Sequence, residues 1–147
     1  MCWNQLTRLC VAADSDESIQ LKRINFASLL PAVNSRTELG STPLHFVALG
    51  SNLKLAKWLL ENGASFSRND DGETPLHWAC KSGHLPMVQL FLFHMTVSDV
   101  IAKDYDALTP LDWAIEYEHD HIAKLLRSVI PSPPKDRKTS IFATKRK

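Results

Sequence analysis

Two histidines and a cysteine form the arrangement in this sequence that comes nearest to a site for chemistry. His77, Cys80 and His84 stand at i, i+3 and i+7, a spacing that could place three zinc ligands along one helical face. His84, however, falls at a predicted turn, and Cys80 stands at a position that suits a small buried residue. We therefore expect no metal site.

The patterns that usually carry catalysis do not occur in the chain. There is no glycine-rich phosphate loop, no Gly-x-Ser-x-Gly nucleophile motif and no His-Glu-x-x-His metal motif. The paired carboxylates Asp70 and Asp71 lie at a predicted turn, where solvent stabilises both charges. The sequence therefore predicts a protein that is not an enzyme, with no cofactor and no small-molecule substrate.

Length and composition limit the class of protein. The 147 residues suit one compact domain or one short repeat array. No apolar run approaches the roughly 18 to 20 residues that a membrane-spanning helix needs, and the first residues lack a basic and then apolar leader. The three cysteines have no metal-ligand spacing and suit a reducing compartment. We expect a soluble protein of the cytoplasm, the nucleus or both.

A short motif recurs along the chain and predicts its architecture. Thr-Pro-Leu-His occurs at 42–45 and 74–77, Thr-Pro-Leu-Asp occurs at 109–112, and a fainter copy lies at 7–13. A threonine suits the N-cap of a helix, and a proline suits its first turn. Further along each unit, apolar residues at i, i+1, i+3 and i+4 predict a second helix. Each unit is therefore predicted to be helix, turn, helix.

The two most complete units resemble the ankyrin-repeat family. Around the shared motif, the third unit has Gly72, Ala79, Gly83 and His84, and the second has Gly40 and the ending Leu-Leu-Glu-Asn-Gly-Ala at 59–64. The resemblance implies an all-α solenoid of stacked helix-turn-helix units with short finger turns or hairpins. The predicted units are an N-terminal capping repeat at 1–36, repeats at 37–68 and 69–103, a C-terminal capping repeat at 104–130 and a basic tail at 131–147.

Departures from the family pattern concentrate late in the chain. In the fourth unit, Ala107 replaces the turn glycine, Asp112 the histidine and Glu118 the glycine between helices, as suits a terminal repeat with one face in water. In the third unit, residues 93–100 replace the usual Gly-Ala ending. We expect a lengthened outer helix or an irregular loop there, which either absorbs extra residues or presents Phe93 and its neighbours to a partner.

The resemblance also implies roles for the residues of the recurring motif. His45 and His77 would make structural hydrogen bonds that tie one repeat turn to the next. The aromatic residues that follow the motif's last position, Phe46, Trp78 and Trp113, would stand side by side. They could fill the space between helices or form a groove for a partner.

The resemblance places a partner-binding surface on the concave face, around the finger turns and the ends of the first helices. Acids mixed with tyrosines and leucines suit a protein partner that carries a basic segment, although the same face could simply be solvated. We expect an adaptor, assembly subunit or inhibitor, either monomeric or within a hetero-complex. The candidate contacts are Glu38, Leu39, Ser41, Leu49, Asp70, Asp71, Glu73, Lys81, Tyr105, Asp106, Leu108, Glu116 and Tyr117.

The segment 131–147 differs in charge from the rest of the chain. It begins Pro-Ser-Pro-Pro, which cannot continue a helix, and it has too few apolar residues to fold alone. Its cations could bind nucleic acid or anionic lipid, serve as a nuclear address, or dock on an acidic protein surface. The alternative function is thus a nucleic-acid-associated component of a larger complex. The basic residues are Lys135, Arg137, Lys138, Lys145, Arg146 and Lys147.

Overall fold

The computed structural model describes residues 30–50 and 52–132. Seven α-helices lie within these two ranges, which contain no strand. Almost all of the predicted first repeat and all six tail cations lie outside the described residues. The helices are α1 (Pro43–Leu49), α2 (Leu53–Glu61), α3 (Pro75–Ser82), α4 (Leu85–His94), α5 (Val97–Val100), α6 (Pro110–Glu116) and α7 (Asp120–Val129).

The recurring motif starts each inner helix as predicted. Thr42, Thr74 and Thr109 are the N-caps of α1, α3 and α6, each with an extended backbone and with a proline in the first helical turn. In α6, the Thr109 hydroxyl accepts from the backbone N–H of Asp112 at 3.2 Å. Proline is well placed there because its missing N–H would have no partner in the first turn of a helix.

The helices form two stacked layers around one continuous core. Inner helices α1, α3 and α6 pack side by side, and outer helices α2, α4 and α7 pack against them and one another. Apolar side chains between the layers bury one face of each repeat against the next, which single repeats cannot do alone. The expected all-α solenoid is therefore confirmed. Its largest buried side chains include Leu44, Leu55, Leu59, Leu76, Met87, Phe91, Ile122 and Leu126.

The segment at the end of the third unit is neither a lengthened helix nor an irregular loop. Helix α4 ends at His94, and the single-turn helix α5 follows after two residues. Thr96 caps α5 through a reciprocal pairing in which its N–H and hydroxyl donate to the carboxylate of Asp99 at 2.9 and 2.7 Å. Val100 is buried against the core, whereas Phe93 is 85% exposed.

The turns that precede the inner helices, which we call the finger turns, span 37–41, 69–73 and 104–108. Polar side chains at equivalent positions hold two of them. The Oδ1 atom of Asn69 accepts from the N–H groups two and four residues later at 3.1 and 2.8 Å. Asp104 does the same at 3.0 and 2.9 Å. Asparagine and aspartate favour such turns because their short side chains satisfy nearby backbone donors.

Two non-glycine residues of the last unit have left-handed backbones. Ala107 (φ 65°) occupies the position of Gly72 (φ 77°), and Glu118 (φ 59°) occupies that of Gly83 (φ 75°). A side chain at Gly72 would place its Cβ 2.9 Å from the backbone nitrogen of Tyr105. Glycine is therefore needed where another repeat follows, and the last unit tolerates a side chain because no described repeat covers it.

We expect Ala107→Gly to raise the free energy of unfolding by about 0.5 kcal/mol. The substitution relieves a left-handed conformation that costs an L-residue roughly 1 kcal/mol, and the greater entropy of glycine in the unfolded chain offsets part of this gain. Urea denaturation measures the change. As the matched control, Gly72→Ala introduces both strain and a steric clash and is expected to destabilise. Equal effects of the two substitutions would contradict this account.

Candidate binding surface on the finger and inner-helix face

The histidines of the motif connect successive repeats. His45 is fully buried; its Nδ1 accepts from the Thr42 N–H at 3.1 Å, and its Nε2–H donates to the Glu73 carbonyl at 3.0 Å. These partners assign the neutral ring with its proton on Nε2. Burial lowers the pKa of His45 from 6.5 to about 4 because the charged ring would lose its hydration.

His77 repeats the same arrangement one unit later. Its Nδ1 accepts from the Thr74 N–H at 3.0 Å, and its Nε2–H donates to the Leu108 carbonyl at 3.2 Å. Burial lowers the pKa of this ring as well. The expected structural role of both histidines is thus confirmed, and each ring has both nitrogens engaged within the protein.

This engagement rules out a zinc site at His77, Cys80 and His84. His77 has no nitrogen left to bind zinc, and the thiol of Cys80 is buried in the core, which raises its pKa. His84 is the N-cap of α4. Within the part of the chain that the structure describes, no group of three histidine, cysteine or acidic residues could hold a metal ion.

The column of aromatic residues both fills space and forms part of the surface. Phe46, Trp78 and Trp113 are half-buried and pack against the core. The rings of Phe46 and Trp78 meet edge to face with centroids 5.5 Å apart. The Trp78 indole N–H donates to the carboxylate of Glu73 at 2.6 Å, and that of Trp113 donates to Asp104 at 2.9 Å. Each tryptophan is therefore fixed by the finger turn beside it.

A groove of about 530 Å³ lies between the finger turns and inner helices of the second and third units. Phe46 and Trp78 form its apolar floor, and Leu39, which is 69% exposed, stands beside them. Glu38 and Asp71 bring carboxylates to its edge. We call this concavity the finger groove; it is lined by Thr37, Glu38, Leu39, Ser41, Phe46, Asn69, Asp71 and Trp78.

Backbone hydrogen bonds hold the edges of the finger groove. The N–H of Asp70 donates to the carbonyl of Leu39 at 3.0 Å, and the N–H of Tyr105 donates to the carbonyl of Asp71 at 3.1 Å. Each finger turn is therefore joined to the next. The spacing of the side chains that they present is fixed before any partner arrives.

A second cluster of side chains lies where the third unit meets the fourth. The Lys81 ammonium stands 5.7 Å from the ring centroid of Trp113 and 5.5 Å from that of Tyr117, a distance at which a cation and an aromatic ring attract each other. Tyr105 is 74% exposed. This cluster continues the surface beyond the finger groove.

Ten of the thirteen candidate contact residues are exposed, and the other three are buried or half-buried. Ser41 is buried beneath its finger turn, where its N–H donates to the Thr37 hydroxyl at 3.0 Å. Glu73 is half-buried, and its carboxylate accepts from Asn69 as well as from the indole described above. Leu108 is half-buried. The exposed residues are Glu38, Leu39, Leu49, Asp70, Asp71, Lys81, Tyr105, Asp106, Glu116 and Tyr117.

Sequence reasoning missed a series of basic residues beneath the fingers. The Arg36 guanidinium donates to the Arg68 carbonyl at 2.9 Å, and the Arg68 guanidinium donates to the Lys103 carbonyl at 2.9 Å. Arg36 also lies 3.8 Å from Asp70, which reduces the attraction of that carboxylate for a basic partner. The signal was present in the sequence, because a basic residue stands six positions before each of Thr42, Thr74 and Thr109.

Comparisons with known proteins agree with this architecture. A family model for ankyrin repeats, containing three copies, matches residues 8–104 and 71–133. A Caenorhabditis elegans protein named "Putative glutaminase 2" is 33% identical over 100 residues, which cover 67% of this chain and 16% of that protein. A protein of Acanthamoeba polyphaga mimivirus named "Putative ankyrin repeat protein L271" is 36% identical over 83 residues, which cover 56% of this chain and 11% of that protein.

The chain thus spans less than a fifth of the length of either relative. No helix in residues 30–50 or 52–132 is long and apolar enough to cross a membrane. The repeat motif, the layered helices and the match of the family model over most of the sequence agree. The chain belongs to the ankyrin-repeat family.

Proposed function

We propose that the chain is a non-catalytic adaptor, assembly subunit or inhibitor that holds a partner protein on its concave surface, with the finger groove at the centre of the contact. Ankyrin repeats are generally modules for protein–protein interaction. The observation that carries the proposal is the exposed Leu39 beside two half-buried aromatic rings, with carboxylates at the edge.

The chemistry of the finger groove favours one type of partner segment. An apolar side chain that enters between Phe46 and Trp78 would displace water from both rings, and such central aromatic contacts supply much of the energy of protein interfaces. Glu38 and Asp71 would attract lysine or arginine on either side of that anchor, which increases the rate of encounter and selects orientation.

The rigidity of the surface supports the same conclusion. Binding costs conformational entropy when loops must be ordered, but these finger turns are already fixed by side-chain caps and by hydrogen bonds to their neighbours. A partner would therefore meet a preformed surface. Lys81 and the tyrosines of the fourth unit would extend the contact.

We expect Leu39→Ala to weaken partner binding at least tenfold, a change of about 1.4 kcal/mol. The partner retained from cell extract by the immobilised full chain is identified once by mass spectrometry, and its affinity for each variant is then measured by titration. The matched control is Phe93→Ala, which removes a side chain that is also highly exposed but belongs to the outer helix α4.

Neither substitution removes a buried side chain, so the thermal unfolding midpoint should stay unchanged in both. Loss of binding in Leu39→Ala with retention in Phe93→Ala supports the finger groove as the contact. The opposite pattern would move the binding surface to the outer helices and contradict the proposal.

A further inference from the structure

The finger groove has a candidate occupant within this same chain. We infer that residues 135–147 dock in the finger groove, with Ile141 and Phe142 on its apolar floor and the flanking cations against its acidic edge. The inference uses the groove of the proposed function but needs no partner protein. It implies that the segment and a partner compete for one surface.

The segment and the finger groove carry opposite charges. The segment carries six basic side chains and one acidic side chain, whereas the groove edge presents the carboxylates of Glu38 and Asp71. Asp106 and Glu116, both exposed, continue the acidic surface toward the fourth unit. Opposite charges that are held near each other in one chain attract at a high effective concentration.

The order of residues in the segment also suits the groove. Cations precede and follow the apolar pair Ile141-Phe142, at Lys138 and Lys145. Each of these cations is three residues from the nearer member of the pair, which corresponds to about 10 Å in an extended chain. The segment therefore alternates basic, apolar and basic groups across a length suited to a groove with an apolar floor and acidic edges.

The segment leaves the fold after helix α7, whose end can be placed relative to the finger turns. Helix α6 begins directly after the finger turn 104–108, and α7 packs against α6 after a short turn. A short connection between packed helices makes them antiparallel, so α7 ends near the fingers. The segment therefore leaves the fold from the outer layer, at the end of the repeats where the finger turns lie.

The segment is also long enough to reach the finger groove from the fourth unit. Neighbouring helices pack roughly 8 to 10 Å apart, so the finger groove lies about 20 Å from the fourth unit along the array. The nine residues that follow Ser132, up to and including Ile141, can extend over about 30 Å.

The test uses the full chain with Phe142 replaced by the photoreactive amino acid benzoylphenylalanine. After irradiation of the dilute, purified protein, we expect intramolecular crosslinks that map to residues 37–46 and 69–78. Crosslinks between two copies, crosslinks confined to other surfaces, or no crosslink would each overturn the inference. The same photoreactive group at Phe93, on the outer helix, is the control and should not label the groove.

A charge reversal in the same photoreactive chain tests the mechanism. The double substitution Glu38→Lys and Asp71→Lys should lower the crosslink yield at least fivefold, whereas Glu61→Lys on the outer helix α2 should leave it unchanged. Equal yields in both variants would overturn the electrostatic docking. This outcome is distinguishable from failure of the proposed function, because the crosslinking contains no partner and the Leu39→Ala titration depends on one.

Discussion

The substitution His77→Ala is expected to lower the free energy of unfolding by about 3 kcal/mol. It removes the acceptor of the Thr74 N–H and the donor to the Leu108 carbonyl in one step. A buried polar group left without a partner costs about 1 to 3 kcal/mol, and the lost imidazole also leaves a cavity beside Trp113, whose ring centroid lies 5.7 Å from that of His77.

Urea denaturation followed by far-ultraviolet circular dichroism measures this loss. The control is Asp112→Ala, at the equivalent position of the fourth unit. Asp112 is exposed and caps Thr109 with hydrogen bonds of 2.8 and 2.7 Å, so its removal should cost about 1 kcal/mol, as for other helix caps. Similar losses in the two variants would show that the link between repeats contributes little beyond capping.

We also expect the free energy of unfolding to fall by several kcal/mol in mild acid. In the unfolded chain His45 gains a proton near pH 6.5, whereas in the folded protein it does so only near pH 4. Above pH 6.5 both states are neutral and the full stability is present. Below it the unfolded state binds more protons, so the folded state loses stability as the pH falls toward 4.

The size of this loss in unfolding free energy follows from the lowered pKa of His45. Each pKa unit corresponds to about 1.4 kcal/mol, so His45 alone accounts for about 3 kcal/mol across this window. His77 acts in the same direction, since its pKa is also lowered by burial. The carboxyl of Asp112 has a pKa held below 3.8 by its hydrogen bonds to Thr109, so its contribution is lost only in stronger acid.

Free energies of unfolding at pH 7.5, 6, 5 and 4 check this prediction, and an NMR titration of the folded protein assigns the histidine responsible. In a His45→Gln chain the fall between pH 6.5 and 4 should be smaller, because one of the two perturbed rings is gone. A stability that stays constant from pH 7 to 5 would show that these rings titrate normally in the fold.

The parts of the fold that the sequence predicts well are those determined by local chemistry. Thr-Pro starts a helix wherever it occurs here, because the threonine caps and the proline needs no partner for its nitrogen. The hydrogen bonds that His45 and His77 make to the next repeat were expected from the resemblance to the ankyrin-repeat family rather than from local chemistry.

Features that depend on side-chain contacts in the folded structure were harder to predict. Helix α5 arises in a segment without apolar periodicity, and its single turn is stabilised by the Thr96 cap and the burial of Val100. Ser41 and Glu73 resemble surface residues in sequence, but the finger turn covers one and the Trp78 indole engages the other. Exposure at these positions is decided by contacts that form within the folded repeat rather than by residue type.

The aspartate at position 112 has a consequence for how arrays of this kind associate. A histidine at this position would direct a buried N–H toward the next finger turn. The carboxylate of Asp112 instead accepts hydrogen bonds from Thr109 and has no hydrogen to donate. Another ankyrin array that approached this end would bring a finger carbonyl with no partner to receive it. We therefore expect the fourth unit to disfavour end-to-end stacking of arrays, in the way that a charged edge strand protects a β-sheet from aggregation.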